Sequence, residues 1–536
     1  MIVNNLRKQI GNKEILDGVS FVLSDHDKIG LVGSNGAGKS TLLKILSSEI
    51  SKDSGDIKLN GETISYLKQE IPYAYNDLSI IEYIKQEIGI DELENKLHEL
   101  ENNLTDDCME EYGDVLNHFL ALDGYSFEDN LNGVLLGLHL DKDLSHKIGT
   151  LSGGQKIKVL LATLLMKNSD ILLLDEPTNN LDLDAIEWLE NSLSNSEKKM
   201  IIVSHDEAFL NHIVNRIFEL EQGKINIYNL SYKQYLEQKE LEYEQLKTQY
   251  VKAQEEKDKL KKQVQKAKEW ANKGVNKKAH NDHDKIANNF AKERTNSGNV
   301  SKLNKALQNI EIPRFEEKEP INVIFNMIDS KGNRDILFEH LVCGYDSFRT
   351  PELNLLIPFG TKLNIVGGNG TGKTTLVKTL LGKNVPIKGN IKIGNDVKMG
   401  YISQNTLDNQ TNDTIYSYLT KGKEKIDSSK VFLLLSKFHI DYHDKDKSYQ
   451  SLSPGERTRV NLVKLALDQT NVLILDEITN HLDKEALDLI YELVSNYEGT
   501  IISISHNRKY NEMLNSNIDL NIETGKVLQK TISKHI

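Results

Sequence analysis

Four short motifs occur twice in this chain, in the same order, and this repeat restricts the possible folds more than any other feature. The copies are a glycine-rich segment at 33–41 and 367–375, Leu-Ser-Gly-Gly-Gln or Leu-Ser-Pro-Gly-Glu at 151–155 and 452–456, an apolar run ending in Asp-Glu at 171–176 and 472–477, and Ser-His at 204–205 and 505–506. Each motif returns about 300 to 335 residues later in a chain of 536 residues. An internal repeat of this length predicts two copies of one domain.

Each glycine-rich segment follows a short apolar run, at 29–32 in the first copy and 363–366 in the second. This pattern predicts a buried strand, a loop and then a helix. Glycines let backbone N–H groups approach phosphate oxygens closely, and a helix N-terminus favours an anion. The predicted phosphate-binding residues are Gly33, Ser34, Asn35, Gly36, Ala37, Gly38, Lys39, Ser40 and Thr41, and then Gly367, Gly368, Asn369, Gly370, Thr371, Gly372, Lys373, Thr374 and Thr375.

A lysine, a hydroxyl and two carboxylates in each copy complete the set expected for phosphoryl transfer from ATP. The lysine is expected to contact the β- and γ-phosphates, the hydroxyl and the first carboxylate to hold Mg²⁺, and the second carboxylate to act as general base toward water. In this order the residues are Lys39, Ser40, Asp175 and Glu176, and then Lys373, Thr374, Asp476 and Glu477. The sequence thus predicts an α/β fold with two ATP-hydrolysing domains.

These motifs resemble those of ATP-binding cassette proteins, and the resemblance extends over both halves of the chain. It implies that the signature loop, Leu-Ser-Gly-Gly-Gln in the first half, lies at a helix N-terminus and faces the ATP bound by the other cassette. The first signature would complete the site of Lys373 and the second that of Lys39; their residues are Ser152, Gly153, Gly154 and Gln155, and then Ser453, Gly455 and Glu456.

The same resemblance implies roles for seven further residues. Gln69 and Gln404 match a loop that contacts magnesium and the attacking water, and His205 and His506 match a switch histidine at the γ-phosphate. Asp182 and Asp483 match a loop that communicates between the two sites, and Tyr345 matches an aromatic residue that stacks on adenine. The implied cofactors are ATP and Mg²⁺. The glutamines join Ser40, Asp175, Thr374 and Asp476 as magnesium ligands, directly or through water.

The two copies depart from this pattern differently. The first has Ile10-Gly11 where the second has Gly344-Tyr345, so we expect no aromatic stacking on adenine in the first cassette. In the second cassette, Pro454 removes a backbone N–H from the signature. Ile478 also replaces the usual proline after the catalytic acid, and Asn507 follows the histidine where the first copy has Asp206. We therefore expect two competent but unequal sites.

Two fused cassettes without a membrane domain resemble the ABC-F proteins, soluble tandem cassettes that act on ribosomes. From Gln69 to Leu151 is 82 residues but from Gln404 to Leu452 is 48, so the first cassette contains an insertion of about 34 residues within roughly 72–135. Its Glu/Leu-rich run has a helical period and matches the ABC-F arm; ordinary variation of a helical subdomain is the alternative. The predicted domains are 1–235, a linker at 236–318, and 319–536.

The linker has apolar residues at heptad spacing, which predicts an antiparallel helical hairpin. The first seam contains Tyr243, Leu246, Tyr250, Ala253, Leu260, Val264 and Ala267, with a break at Lys257. A weaker second set lies between Ile286 and Ile310, and the tip is expected at about 270–290. If residues 232–272 are helical, the first arm is ~60 Å long at about 1.5 Å per residue.

The linker is also basic. Residues 261–305 carry twelve Lys or Arg against four Asp or Glu, although the whole chain has a net charge of −13. Such asymmetry is typical of a segment that contacts polyanions, and a solvated helical face is the alternative. The residues predicted to contact rRNA or tRNA are Lys266, Lys268, Trp270, Lys273, Lys277, Lys278, His280, His283 and Phe290. Packing of the hairpin end is an equal alternative for Trp270 and Phe290, and a metal site at His280 and His283 lacks a further ligand nearby.

Composition restricts the location of the protein. No apolar stretch approaches the roughly 20 residues that span a bilayer. The two cysteines, Cys108 and Cys343, lack metal-ligand spacing. We therefore expect a cytoplasmic monomer, without disulfides or zinc, whose cassettes pair within one chain.

The ABC-F resemblance implies a protein that enters the E site of the 70S ribosome and contacts rRNA and P-site tRNA. A linker of roughly 80 residues favours the members that displace antibiotics from the peptidyl-transferase centre, such as lincosamides, pleuromutilins and group A streptogramins. The alternatives are a housekeeping ABC-F translation factor, the ATPase subunit of a membrane transporter, and a DNA-associated ATPase.

Overall fold

A computed structural model of the protein describes residues 1–34, 36–68, 70–103, 109–140, 142–275, 301–310, 313, 315, 332–345, 348–403, 411–422, 427–479, 482 and 484–530. At 270–275, 454 and 485 it describes the backbone alone. The chain divides into two compact units, Met1–Tyr232 with Ile321–Ile536, and Lys233–Pro320. The first unit contains both cassettes and the second contains the linker.

The first cassette combines a mostly parallel sheet with a smaller antiparallel sheet. Its strands are β1 (Ile2–Ile10), β2 (Lys13–Val22), β3 (Lys28–Val32), β4 (Ser54–Lys58), β5 (Ile64–Tyr66), β6 (Ile171–Asp175), β7 (Lys199–Val203), β8 (Arg216–Glu221) and β9 (Lys224–Tyr228). The larger sheet has the order β5-β6-β7-β3-β8-β9, in which β9 is antiparallel to β8 and the other neighbours are parallel. The smaller sheet has the order β2-β1-β4.

Eight helices belong to the described part of the first cassette. They are α1 (Lys39–Leu46), α2 (Ile80–Ile88), α3 (Ile90–Asn102), α4 (Met109–Ala121), α5 (Phe127–Gly137), α6 (Gly153–Met166), α7 (Leu183–Asn195) and α8 (Glu207–Ile213). Helices α2 to α5 occupy the segment predicted as an insertion. The Glu/Leu-rich run whose helical period was predicted lies within one of them, α3.

The linker begins with α9 (Tyr232–Val275), a helix of 44 residues, and residues 301–308 form a second helix, α10. The rings of Tyr243 and Tyr250 lie 5.2 and 5.3 Å from that of Phe315, so α9 packs against the returning chain. Leu246, predicted in the seam, is exposed, whereas Lys257, predicted as a break, is half-buried on the line of the seam. A lysine stem covers apolar surface while its charge stays in water. No helix within the described residues combines the length and apolar character that a bilayer crossing requires.

The second cassette repeats the architecture of the first. Its strands are β10 (Ile336–Val342), β11 (Gly344–Tyr345), β12 (Phe348–Arg349), β13 (Leu353–Ile357), β14 (Lys362–Val366), β15 (Lys388–Ile393), β16 (Met399–Ser403), β17 (Val472–Asp476), β18 (Thr500–Ile504), β19 (Ile518–Asn521) and β20 (Val527–Gln529). Its helices are α11 (Lys373–Leu380), α12 (Ile415–Thr420), α13 (Ser428–Lys437), α14 (Pro454–Leu467), α15 (Lys484–Asn496) and α16 (Arg508–Leu514). The sheet order β16-β17-β18-β14-β19-β20 matches that of the first cassette, and the predicted α/β fold is confirmed.

The parallel strands position the functional loops. Strands β6 and β17 are buried along their whole length, as expected for central strands of a parallel sheet. Each ends in an aspartate, Asp175 or Asp476, at the edge of the sheet where the glycine-rich loops follow β3 and β14. Open parallel sheets bind their ligands at this edge.

Candidate ATP-binding sites between the cassettes

The two glycine-rich loops have nearly the same conformation. Gly38 and Gly372 precede α1 and α11 with φ angles of 104° and 98°, in the region that favours glycine. Lys39 Nζ donates to the carbonyl oxygens of Gly33 and Ser34 at 2.7 and 3.1 Å. Both lysines are buried, and Lys373 makes the equivalent bonds to residues 367 and 368 at 2.8 Å each. Each loop thus surrounds one ammonium group at the N-terminus of a helix.

The two predicted general bases share an unusual backbone conformation. Glu176 and Glu477 both have φ = 52°, which is uncommon for a residue with a side chain. Their N–H groups donate to the carbonyls of Val203 and Ile504 at 2.8 and 2.9 Å. These bonds join β6 to β7 and β17 to β18 one residue beyond the paired aspartates, and they turn the glutamates away from the strand direction.

The histidines predicted as switch residues, His205 and His506, lie beside the glutamates, more closely in the first cassette. His205 donates its backbone N–H to Glu176 Oε2 at 3.3 Å, and its Nε2 lies 3.6 Å from Glu176 Oε1. His506 Nε2 lies 4.0 Å from Glu477 Oε1. The base and the histidine are therefore neighbours in both cassettes, at unequal distances.

Burial changes the protonation of these groups. Desolvation, followed by the charge of adjacent Asp175, raises the pKa of Glu176 to about 8. Desolvation also raises the pKa of Glu477, although Lys373 opposes the shift. Burial and the charge of Lys373 lower the pKa of His506 to about 4, so this imidazole is neutral near pH 7. Raised carboxylate pKa values are typical of groups that exchange protons during catalysis.

The aspartates fit a divalent cation. Asp175 Oδ2 and Asp476 Oδ1 are buried and have no hydrogen-bond partner among the described residues. Unpaired buried carboxylate oxygens are costly, and oxygen is the ligand that Mg²⁺ prefers. Desolvation raises the pKa of Asp476, although hydrogen bonds from the hydroxyls of Tyr401 and Thr374 oppose the shift. Ser40 has the corresponding place at the start of α1.

Two tyrosines beside these aspartates were not predicted as site residues. The Tyr401 hydroxyl donates to Asp476 Oδ2 at 3.3 Å. In the first cassette, desolvation and the charge of Asp175 raise the pKa of Tyr66. The sequence contained a signal, since each tyrosine stands three residues before a predicted magnesium-contacting glutamine, Gln69 or Gln404.

A cavity of about 460 Å³ brings together residues of both cassettes. Its volume is within the range of small-molecule sites. From the first cassette it is lined by Ser152, Gly154, Gln155, Glu176, Asn180 and His205, and from the second by Asn369, Gly370, Glu477 and His506. The first signature and the P-loop of Lys373 thus face the same space.

The signature serines begin helices. The Ser152 side chain accepts a hydrogen bond from the N–H of Gln155, while Gln155 Oε1 accepts one from the N–H of Ser152. Ser453 and Glu456 make the same reciprocal pair. This capping box leaves the other N–H groups of the first turn available to an anion. Helix α14 begins at Pro454, where the missing N–H causes no loss to the helix.

Lys39 faces a different set of residues. It lines a second cavity with Gly33, Tyr232, Lys484, Asp488 and Tyr491, among others. The described residues that line these two cavities do not include Ser453, Gly455 or Glu456 of the second signature. The pairing of Lys39 with the second signature therefore stays a prediction.

A buried ion pair connects the first signature helix to the loop before α7. Lys158 Nζ of α6 lies 3.1 Å from Asp182 Oδ2, with side-chain exposures of 4% and 8%. Asp182 Oδ1 also accepts from the N–H of Ala185 and caps α7. The partner of Asp182 was not predicted from the sequence.

The expected adenine-stacking residue has an exposed ring. Tyr345 is 53% exposed, and its hydroxyl accepts a hydrogen bond from Asn384 Nδ2 at 3.1 Å. In the first cassette, Ile10 ends β1 and is 51% exposed. Both side chains are thus exposed, and stacking of adenine on Tyr345 stays a prediction.

Several predicted residues lie outside the described part of the structure. They are Asn35, Gln69, Gln404, Asp483, Lys277, Lys278, His280, His283 and Phe290. Of Trp270 and Lys273, only the backbone in α9 is described. Lys266 and Lys268 are exposed on α9.

Comparison with known proteins agrees with this architecture. A family model described as ABC transporter matches residues 16–179 and 351–480, and another with the same description matches 218–320. Similar proteins include the uncharacterized ABC transporter ATP-binding protein YfmM of Bacillus subtilis, 32% identical over 94% of this chain and 95% of that protein. ATP-binding protein Uup of Haemophilus influenzae is 32% identical over 92% and 74%. The energy-dependent translational throttle protein EttA of Mycobacterium tuberculosis is 29% identical over 94% and 88%.

Solved structures share the fold. The RNase-L inhibitor matches with a TM-score of 0.59 and 20% identity, over 97% of this chain and 87% of that one. The archaeal ribosome recycling factor aABCE1, solved with the ribosomal stalk protein aP1, matches with a TM-score of 0.58 and 20% identity, over 96% and 86%. Each match to the first family model spans a P-loop, a signature and an Asp-Glu pair. The chain is therefore an ATPase that belongs to the ABC-F family of ATP-binding cassette proteins.

Proposed function

We propose that this ATPase binds the 70S ribosome at the E site and inserts its linker toward P-site tRNA and the peptidyl-transferase centre. There the linker displaces antibiotics of the lincosamide, pleuromutilin and streptogramin A types. The observation that carries the proposal is α9, a 44-residue helix between two cassettes. At about 1.5 Å per residue it extends ~66 Å.

The shape of the linker supports its proposed insertion into the ribosome. In α9 the seam residues other than Leu246 are buried or half-buried, whereas Leu241 and Val251 are exposed outside the seam. Tyr243 and Tyr250 pack on Phe315 and hold the returning chain against the helix. Such a hairpin has little apolar surface for a packed domain, but it suits entry into a polar, narrow space.

The charge of α9 changes along its length. Residues 232–258 contain five Lys and seven Asp or Glu, whereas residues 259–273 contain six Lys and one Glu. Phosphate backbones attract clustered lysines. The end of α9 toward the predicted tip therefore suits rRNA or tRNA, and the end toward the cassette does not.

The names of two similar proteins support a role in translation. EttA is an energy-dependent translational throttle protein, and aABCE1 is a ribosome recycling factor. A housekeeping translation factor is the second candidate, because nothing in the name of EttA refers to antibiotics. The length of the linker favours ribosome protection.

In the mechanism we propose, ATP bound between the cassettes closes them, and hydrolysis reopens them. Lys39 and Lys373 contact the phosphates, while Glu176 and Glu477, in their ionised forms, each accept a proton from the attacking water. A cation held at the neighbouring aspartate would lower the pKa of each glutamate and favour that ionised form. His205 donates its backbone N–H to Glu176, and the neutral His506 lies 4.0 Å from Glu477. We infer that both imidazoles contact the γ-phosphate. Mg²⁺, held by Ser40 with Asp175 and by Thr374 with Asp476, would neutralise charge on the phosphate oxygens. The cytoplasm is the compartment that this role requires.

Drug susceptibility of a sensitive Gram-positive host that expresses the protein tests the proposal. The panel contains lincosamides, pleuromutilins and group A streptogramins, with an inhibitor of the small subunit as control. We expect resistance to the large-subunit inhibitors, lost when residues 274–283 are shortened. The shortened variant must retain ATPase activity and ribosome binding. Susceptibility with full-length protein bound to ribosomes would favour the housekeeping role.

A further inference from the structure

One ion pair between the cassettes is unlike the other contacts of the site. Arg508 of the second cassette places Nη1 2.8 Å from Glu190 Oε1 and Nη2 3.2 Å from Glu190 Oε2 of the first. This two-point geometry is the strongest arrangement of a guanidinium and a carboxylate. Glu190 is 5% exposed, so its charge depends on Arg508 for compensation.

Arg508 is not placed there for the stability of its own helix. It is the first residue of α16, and the N-terminus of a helix disfavours a cation. The corresponding first residue of α8 is Glu207, which has the favourable sign. Contacts outside α16 therefore account for the arginine: the two-point pair with Glu190 is the closer one, and Glu187 Oε1 of the same helix, α7, lies 3.7 Å from Nη2.

The arginine is close in sequence to the chemistry. It follows His506 by two residues, and Asn507 between them accepts hydrogen bonds from Tyr510 N at 2.8 Å and from the Tyr491 hydroxyl at 3.3 Å. These bonds fix the turn that contains both His506 and Arg508. A second ion pair, Lys509 Nζ to Glu207 Oε2 at 2.9 Å, joins α16 to α8.

The charges favour unlike cassettes. Glu207 in the first cassette is the equivalent of Arg508 in the second. If two copies of the first cassette paired, Glu207 of one copy would therefore face the buried Glu190 of the other. Two facing carboxylates repel each other, so the contact rejects the wrong partner as well as attracting the right one.

We propose that Arg508 is a positioning residue for ATP hydrolysis, whose ion pair with Glu190 holds the His506 turn against the first cassette and makes that contact specific for the unlike cassette. The inference rests on the ATPase activity alone. It is independent of the proposed action on ribosomes.

Steady-state ATP hydrolysis by the full-length protein tests this proposal, with kcat and KM separated and binding of a fluorescent ATP analogue measured in parallel. We expect Arg508→Glu to lower kcat by about tenfold or more, with little change in nucleotide binding. Arg508→Lys keeps the charge but loses the two-point geometry, so its kcat lies between those of wild type and Arg508→Glu. Glu190→Arg combined with Arg508→Glu restores most of kcat. Arg7→Glu, which removes an exposed paired arginine of β1, is the matched control and leaves kcat unchanged.

A wild-type kcat for Arg508→Glu, or a charge-swapped double mutant no better than the worse single mutant, overturns the proposal. Melting curves show whether each variant folds. If Arg508→Glu does not fold, Arg508→Gln and Arg508→Lys replace it, and the proposal is then overturned if both keep the wild-type kcat. A merely structural role would lower the melting temperature in the single mutants without recovery of kcat in the swap.

Discussion

The side-chain amide of Asn369, in the P-loop of the second cassette, donates a hydrogen bond of 3.0 Å to the backbone carbonyl of Asn180 in the first. Asn180 stands two residues before Asp182, which caps α7 and pairs with Lys158 of the signature helix. The P-loop of one cassette is thereby linked to the signature helix of the other through three residues. A nucleotide bound at this P-loop would therefore lie next to a set of polar contacts that extends into the opposite cassette.

Loss of the Asn369 amide is expected to weaken this link. A neutral hydrogen bond contributes about 0.5–1.5 kcal/mol, so Asn369→Ala should lower kcat for ATP by about two- to tenfold. Asn390→Ala, which removes a hydrogen bond to Glu339 within the second cassette, is the control. Equal kcat values for the two variants in a steady-state assay would show that the bond between cassettes does not affect hydrolysis.

Removal of Lys158 is expected to destabilise the first cassette. Breaking a buried pair leaves Asp182 uncompensated and costs about 3–5 kcal/mol. Lys158→Ala should therefore lower the melting temperature by several degrees, as read by calorimetry. Lys96→Ala breaks the exposed pair of Lys96 and Glu111 and should have almost no effect, because surface pairs contribute about 0–1 kcal/mol. A comparable loss in both variants would contradict the buried-pair account.

The motifs made the P-loops, the acidic pairs and the repeated fold predictable, because each needs a fixed spacing of residues along the chain. The partner of Asp182 was not predictable, since Lys158 reaches it only after α6 and α7 pack. Likewise Arg508 reads in the sequence as one more surface cation. The seam of α9 was predicted except at two positions. Lys257 is half-buried because its heptad position decides its contact more than its charge does, whereas Leu246 is exposed although its position and its side chain both predict burial.

The left-handed backbone conformation of Glu176 and Glu477 also could not be predicted from the sequence. Their φ of 52° follows from backbone bonds to neighbouring strands, which no local motif specifies. The two tyrosines beside the aspartates are an intermediate case. Their position three residues before the glutamines repeats in both copies, but their contact with the carboxylate needed the sheet order.

Tyr401 is expected to affect the magnesium requirement. Its hydroxyl bonds to Asp476 at 3.3 Å, and loss of such an outer partner weakens metal affinity by about tenfold or more. Tyr401→Phe should raise the Mg²⁺ concentration for half-maximal ATPase activity at saturating ATP. Tyr416→Phe, which loses a hydroxyl contact with Ser428, should not. An unchanged magnesium requirement in Tyr401→Phe would contradict the assignment of Asp476.

His506 is expected to remain neutral far below the usual range. Its pKa is about 4 because burial and Lys373 disfavour the imidazolium. With histidine labelled and the resonance assigned by His506→Gln, the C2–H shift should stay constant from pH 8 to about 5.5. In denaturant it should titrate near 6.5. Since the folded pKa is the lower one, this group contributes stability above about pH 6.5 that is lost as the pH falls toward 4. A midpoint near 6.5 in the folded protein would contradict the buried environment.

The proposed function requires ATP-dependent binding to ribosomes. The most direct measurement is co-sedimentation of the full-length protein with 70S ribosomes in ATP, using the double variant Glu176→Gln, Glu477→Gln. We predict that this variant stays on the ribosome with ATP, because it binds the nucleotide but does not hydrolyse it, and that the wild-type protein is released. Lys39→Ala with Lys373→Ala, which removes both P-loop lysines, should not sediment. Equal sedimentation of all three proteins, or none by any of them, would contradict the account.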